Sequence, residues 1–163
     1  MTSREPDLTR VTTIAELMGE DEEETRALGE MASAAASYVT SFAWCEGIKE
    51  EYAGIAIPGV IGVFLLRIVP ASPEADEWLW VIVGDIPPAY ITLDDCPNAA
   101  TALDGYIGAM QEWADAVKQG RPVDELIPVN APATSDYAEM LESRLRFLES
   151  RVLSDYRQDL DEA

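Results

Sequence analysis

Residues 52–69 read YAGIAIPGVIGVFLLRIV, an apolar run in which Arg67 is the one charge. A membrane-spanning helix needs about 20 predominantly apolar residues. Here Gly54, Pro58, Gly59 and Gly62 break up a shorter charge-free stretch rich in β-branched side chains. Two buried strands, Tyr52–Ile57 and Val60–Val69, explain the run better than a span. The text downstream continues in kind, with further strands expected at Trp78–Val83 and Ala89–Leu93, separated by proline and glycine. Connections this short cannot hold crossover helices, so the sheet is expected to be small and mainly antiparallel, of three to four strands.

Helical spacing flanks the strands. Before them, the acidic run Glu20–Glu24 suits the positive end of a helix dipole. Leu28, Met31, Ala35, Tyr38, Val39 and Phe42 then form one apolar stripe, and the helix should stop near Ala43. The SAAAS run at 33–37 lets another element pack closely against it. Still earlier, Thr13 and Glu16 have capping-box spacing for a short helix that Gly19 would stop.

After the strands, Asp95-Cys96-Pro97 reads as a helix start. Leu103, Tyr106, Ile107, Met110, Trp113, Ala114 and Val117 recur at helical spacing up to the stop at Gly120 and Pro122. A connector, Arg121–Ala133, leads to a last long helix capped within Thr134–Asp136, with Tyr137, Leu141, Leu145, Leu148, Val152 and Tyr156 on one side. The expected fold is therefore α+β, three main helices packed with the sheet, as one domain over residues 12–163 behind a flexible leader at 1–11. The polar start of the chain has no apolar signal core, and the expected compartment is the cytoplasm.

Thirty-one Asp and Glu against eleven Lys and Arg give the 163-residue chain a formal charge of −20. Such a field repels nucleic acid phosphates and anionic membranes, so neither is an expected partner. The imbalance is not confined to tails: between Arg67 and Lys118 there are nine carboxylates and no basic residue. A folded face must be acidic, either as a general solubility habit or as a docking surface for a basic protein such as a toxin or nuclease. The last helix holds four of the eleven basic residues, Arg144, Arg146, Arg151 and Arg157, among Glu139, Glu142, Glu149 and Asp155. Local ion pairs on a solvated face account for that pattern; a docking helix for a partner or for a second copy, making the protein a homodimer instead of a monomer, is the alternative.

The chain has no histidine. That removes the commonest general base and metal ligand and every Ser-His or Cys-His pairing. Carboxylate acid–base chemistry stays open in principle. There is no GxGxxG or GxxxxGK[ST] pattern, and the EDEEE run at 20–24 lacks the alternation and turning glycine of a calcium loop. No cofactor, metal or catalytic residue is expected. Cys45 and Cys96 read as free, partly buried thiols.

The most distinctive text is WLWVIVGDIPPAY at 78–90. Trp78 and Trp80 share one side of a strand, and Gly84-Asp85-Ile86-Pro87-Pro88 makes a rigid turn. Asp85 either braces that turn or presents a carboxylate beside aromatic rings, with Trp44, Trp80 and Tyr90 completing a pocket. The Trp44-Cys45 pair after a helix, the strand Trp78–Val83 running into Gly84-Asp85-Ile86-Pro87 with Tyr90, and a later helix with Trp113 together resemble a group of short, acidic bacterial proteins of unknown function. The resemblance covers about half the chain, leaves out the first 40 residues and the last helix, and implies no reaction and no catalytic residues.

Two functions follow as expectations. The first is a non-enzymatic binding protein, for instance an immunity protein, antitoxin or inhibitor, that covers a basic partner with acidic surface including Glu74, Asp76, Glu77, Asp94 and Asp95. The second is a small-molecule-binding protein or carboxylate-based enzyme with its pocket near Trp44, Trp80, Asp85 and Tyr90.

Overall fold

The computed structural model describes residues 6–129 and 131–161. Its strands are β1 (Thr12–Thr13), β2 (Cys45–Ile57), β3 (Ile61–Pro70), β4 (Trp78–Gly84) and β5 (Ala89–Thr92). They form one sheet in chain order, every neighbouring pair antiparallel. The helices are α1 (Glu22–Thr40), α2 (Ala99–Lys118), α3 (Ser135–Phe147) and the short α4 (Arg157–Asp161). The α+β class and the antiparallel sheet match the expectation; the strand number does not, because the described residues form five strands.

The fifth is β1, whose Thr12 and Thr13 pair with Ala53 and Tyr52. The spacing of Thr13 and Glu16 points to the entry of a helix. Only a 3-10 turn at Ile14–Glu16 forms, and the Thr13 side chain makes no capping hydrogen bond. β2 also starts at Cys45, seven positions before the apolar text begins. Its polar first half, Glu46–Glu51, lies where cross-strand charge replaces burial: Glu50 opposes Arg67 in the β2–β3 register, and Arg67 bonds Glu50 at 2.9 Å and Glu77 at 3.1 Å with its guanidinium over Trp78.

β3 and β4 are central and covered on both faces, as near-continuous apolar strands require. Alternation divides their side chains. Ile61, Val63, Leu65, Trp78, Trp80 and Ile82 face a core shared with α2 and α3. Phe64, Leu66, Ile68, Leu79, Val81 and Val83 face a smaller core under α1, where Met31, Ala32, Ala35 and Val39 press on the sheet. The molecule is thus three layers, helix on sheet on helices. Ala35, from the small-residue run of α1, and Ala32 just before it allow that close approach.

Helix ends follow local chemistry. Asp21 caps α1 by accepting from Glu24 N–H at 2.8 Å, and α1 ends at Thr40, leaving Phe42 outside the helix. α2 begins later than its proline suggested: Asn98 is the N-cap, in a capping box with Thr101, and Pro97 lies before it. The helix closes at Gly120, whose φ of +69° permits the left-handed turn. Thr134 caps α3. The long apolar stripe continues beyond α3 without one continuous helix, through a π turn at Leu148–Val152 and a 3-10 turn at Leu153–Tyr156 into α4. Residues 1–5 of the expected leader lie outside the described residues; next to them Asp7 caps a 3-10 turn at Leu8–Arg10, and Arg10 bonds Asp159 of α4 at 2.9 Å.

Two buried side-chain bonds lock the sheet to α2. Trp80 Nε1–H donates to the Cys96 carbonyl at 2.7 Å, and the Tyr106 hydroxyl donates to the Pro87 carbonyl at 2.6 Å. The surface ion pairs weigh less, each contributing roughly 0–1 kcal/mol, whereas truncating one buried aromatic costs about 3–5 kcal/mol. Apolar contact between layers therefore decides stability.

Gly54 sits where β2 meets the start of α2, and a Cβ there would lie 2.5 Å from the Ala99 Cβ and 3.1 Å from the Trp80 ring. Gly54→Ala is expected to destabilise by about 2 kcal/mol through overpacking, lowering Tm by roughly 4–8 °C. Gly29→Ala, on the exposed side of α1 with nothing within 4 Å of the new methyl, should instead stabilise by about 0.5–1 kcal/mol. Thermal unfolding followed by circular dichroism separates the two; equal effects would refute the tight β2–α2 approach.

Candidate functional site

The antiparallel order brings one end of every long strand together: Cys45 of β2 opposes Pro70 of β3, and Leu79 of β4 opposes Thr92 of β5. Ala71 N–H donates to the Trp44 carbonyl at 2.8 Å, drawing the β3–β4 connection against the start of β2. At this end lie Glu46, at the start of β2, Glu74, Asp76 and Glu77 of the β3–β4 connection, and Asp94 and Asp95 after β5. Glu77 is held by Arg67, and Asp95 accepts the Thr92 hydroxyl at 2.8 Å. Among the described residues, Glu46, Glu74 and Asp76 have no ion-pair partner.

From Trp44 at this end, an aromatic cluster extends over the α1 side of the sheet. Phe42 stacks on Trp44 at 5.0 Å between centroids, and Tyr90 meets Trp44 at 4.9 Å and Phe42 at 5.5 Å. Tyr38, on the last turns of α1, meets Phe42 edge-on at 5.2 Å. Burial, then the nearby Tyr90, raises the Tyr38 phenol above its ordinary pKa. The cluster forms because α1 ends before Phe42, so its ring is free to leave the helical stripe, and because Tyr90 opposes Val81 and so points to the α1 side of the sheet. Tyr90 remains 38% exposed, and Phe42 and Trp44 are half-buried. Each ring pair contributes about 0.5–1.5 kcal/mol beyond area burial.

The four residues expected to share a pocket are distributed over three places. Trp44 and Tyr90 are in contact. Trp80 is buried on the opposite face of the sheet, and its indole N–H is already used. Asp85 stands at the far end of β4, exposed, where its carboxylate accepts from Arg144 Nε of α3 at 2.9 Å. The distinctive GDIPP turn is accordingly a joint: Gly84 has φ +145°, Asp85 N–H donates to the Val60 carbonyl, and Pro87 receives Tyr106. A side chain on Gly84 would run into the Val60 carbonyl. Strand parity alone separates Trp80 from Tyr90, but only after the β4–β5 register is known. Tyr38 and Phe42 were legible as aromatic text and not as members of a site, since the helical stripe accounted for both.

A cavity of about 240 Å³ opens elsewhere, between Asp7, Arg10, Gly54, Trp80, Asn98, Tyr156 and Asp159. Its polar groups are largely engaged with one another: Asn98 Nδ2 donates to the Asp159 carbonyl and Arg10 bonds the Asp159 carboxylate. Cys45 and Cys96 are free and buried, in the two different cores. Burial, with Asp95 and Asp104 nearby, raises the Cys96 thiol, opposite to the shift that makes a nucleophile. Among the described residues, no group of His, Cys, Asp and Glu is arranged to hold a metal ion, and no helix is long and apolar enough to cross a membrane.

Among the described residues, three carboxyls are held below the usual carboxylate range: Asp7 by the Thr9 hydroxyl and then the Thr9 backbone N–H, Glu50 by the Tyr52 hydroxyl and then Arg67, and Glu142 by Lys118 and then Gln111. A folded-state pKa below the unfolded value adds stability that is complete above the ordinary carboxyl pKa of about 4.3 and disappears as pH falls through the lowered values. Relative to a Glu74→Gln/Asp76→Asn control of equal charge change, Glu50→Gln/Glu142→Gln should melt lower at pH 7, the gap closing as pH falls through the lowered values. A gap that persists in acid would mean that the loss is not one of charge pairing. No family model, no curated protein and no solved structure matches this chain.

Proposed function

We propose that this protein is a non-enzymatic binding protein, of the immunity-protein or inhibitor kind, that takes a basic protein partner on the aromatic and acidic end of its sheet. The observation that carries the reading is the mutual contact of Phe42, Trp44 and Tyr90, all partly exposed, with Trp44 two residues before Glu46 and bonded through its carbonyl to Ala71 of the connection that carries Glu74 and Asp76. Binding surfaces concentrate their energy in a few large aromatic side chains surrounded by polar residues. Rings already packed on one another lose little conformational entropy when a partner covers them. Arg and Lys are the complementary side chains: their stems and guanidinium planes lie on aromatic faces while their charge meets carboxylates. The formal charge of −20 adds long-range attraction for such a partner, which speeds encounter and fades with salt.

The test is quantitative capture from host lysate at low salt, comparing the wild-type chain with two variants, then titration of the purified captured protein. Trp44→Ala is expected to weaken binding by about 2 kcal/mol, roughly thirtyfold in Kd, through k_off. Glu46→Lys/Glu74→Lys/Asp76→Lys should lower k_on about tenfold and flatten its salt dependence. A basic partner that binds both variants as well as wild type would place recognition elsewhere and overturn the reading.

A further inference from the structure

The solvent side of α3 has a pattern that its packing does not use. Ala138, Leu141 and Leu145 turn inward. Asp136, Met140, Ser143 and Phe147, spaced by four, three and four, all point outward, and Arg151, exposed in the π turn that continues α3, follows four residues later. Met140 is 43% exposed and Phe147 49% exposed, two of the largest exposed apolar side chains of the molecule. The stripe is also polar end to end: acid at its start, with Asp136 and Glu139, and base at its finish, with Arg146 and Arg151.

We propose that this stripe is the contact of a homodimer, in which α3 packs antiparallel on α3 of a second copy about a two-fold axis passing between Ser143 and Arg144. A two-fold contact must be self-complementary, and this one is. About that axis Met140 meets Phe147 of the second copy, Asp136 meets Arg151 of the second copy, and each pair occurs twice. Ser143 at the centre is small enough to let the helices approach to the roughly 8–10 Å of packed helices. The one residue that would oppose the arrangement is Arg144, which meets its own copy near the axis; its Nε is already bonded to Asp85 at 2.9 Å, so the charge arrives neutralised. The same pair gives Asp85, exposed and far from the aromatic end, a part in the contact. A foreign partner would need to match an acidic half, an apolar middle and a basic half in that order, whereas α3 itself supplies the matching order when reversed. Two bodies of charge −20 repel, but that repulsion acts over distances that physiological salt screens, with a Debye length of about 8 Å.

The experiment is sedimentation equilibrium at physiological salt, over a concentration series into the high micromolar range. The wild-type chain is expected to double its mass with Kd on the order of 100 µM, the weak end of specific association. Asp136→Arg alone and Arg151→Asp alone should each weaken the dimer at least tenfold by opposing like charges at two places. Asp136→Arg combined with Arg151→Asp should restore it to within about threefold of wild type, a recovery that non-specific association does not give. Met140→Asp/Phe147→Asp should leave a monomer with unchanged circular dichroism, since both side chains lie outside the core. A wild-type chain that stays monomeric throughout overturns the proposal and leaves the stripe to a different kind of partner. So does a double charge swap that fails to recover while melting like wild type.

Discussion

Burial of β3 and β4 on both faces is the constraint from which the rest of the architecture follows. A strand with side chains in two cores needs a layer on each side, and the chain supplies them in order: α1 before the sheet closes one face, α2 and α3 after it close the other. The cores are unequal, and the larger takes the biggest side chains, Trp80, Tyr106 and Trp113 among them. Their polar atoms set the loop geometry. Trp80 and Tyr106 each bring one donor into an apolar interior, where an unmet donor costs about 1–3 kcal/mol, and each finds a loop carbonyl at either end of the β4–β5 hairpin. Rigid connections at Pro87 and Cys96 are thus consequences of core filling.

The same layering governs where so much negative charge goes. Among the described residues, carboxylates are excluded from both cores. At the start of α1 their accumulation is favourable, because Asp21 and the three glutamates that follow face unpaired backbone N–H groups. Elsewhere cations are rationed to seams between elements: Arg67 joins β2 to the approach to β4, Lys118 joins α2 to Glu142 of α3, and Arg144 joins α3 to the Asp85 turn. These three cations are taken up by seams, and among the described residues Glu46, Glu74 and Asp76, at the sheet end next to Trp44, have no ion-pair partner.

Much of this was legible in the sequence wherever one physical signal ruled. The run at 52–69 had to be buried strands, and the stripe from Leu103 to Val117 had to be helix. Reading failed where two signals competed. Glu46–Glu51 is too charged to look like a strand, and it is one because Arg67 across the ladder offsets its charge. Thr13 carries a capping pattern with Glu16, yet pairing with β2 claims the backbone of Thr12 and Thr13. The candidate site was half legible for a similar reason: Trp44 and Tyr90 meet, but assigning Trp80 and Asp85 needed strand parity and the position of α3, both set by long-range packing that local text does not encode.

Cys45 and Cys96 lie in opposite cores, each about as inaccessible as the other at 6% and 8% exposure. Because the sheet stands between them, neither thiol can be uncovered by loss of the other's helical layer. A thiol-reactive reagent therefore reads the two halves of the molecule separately: modification at Cys45 times the lifting of α1, and modification at Cys96 times the loosening of the α2 side. The chain carries, without any engineering, one chemical clock for each side of its sheet.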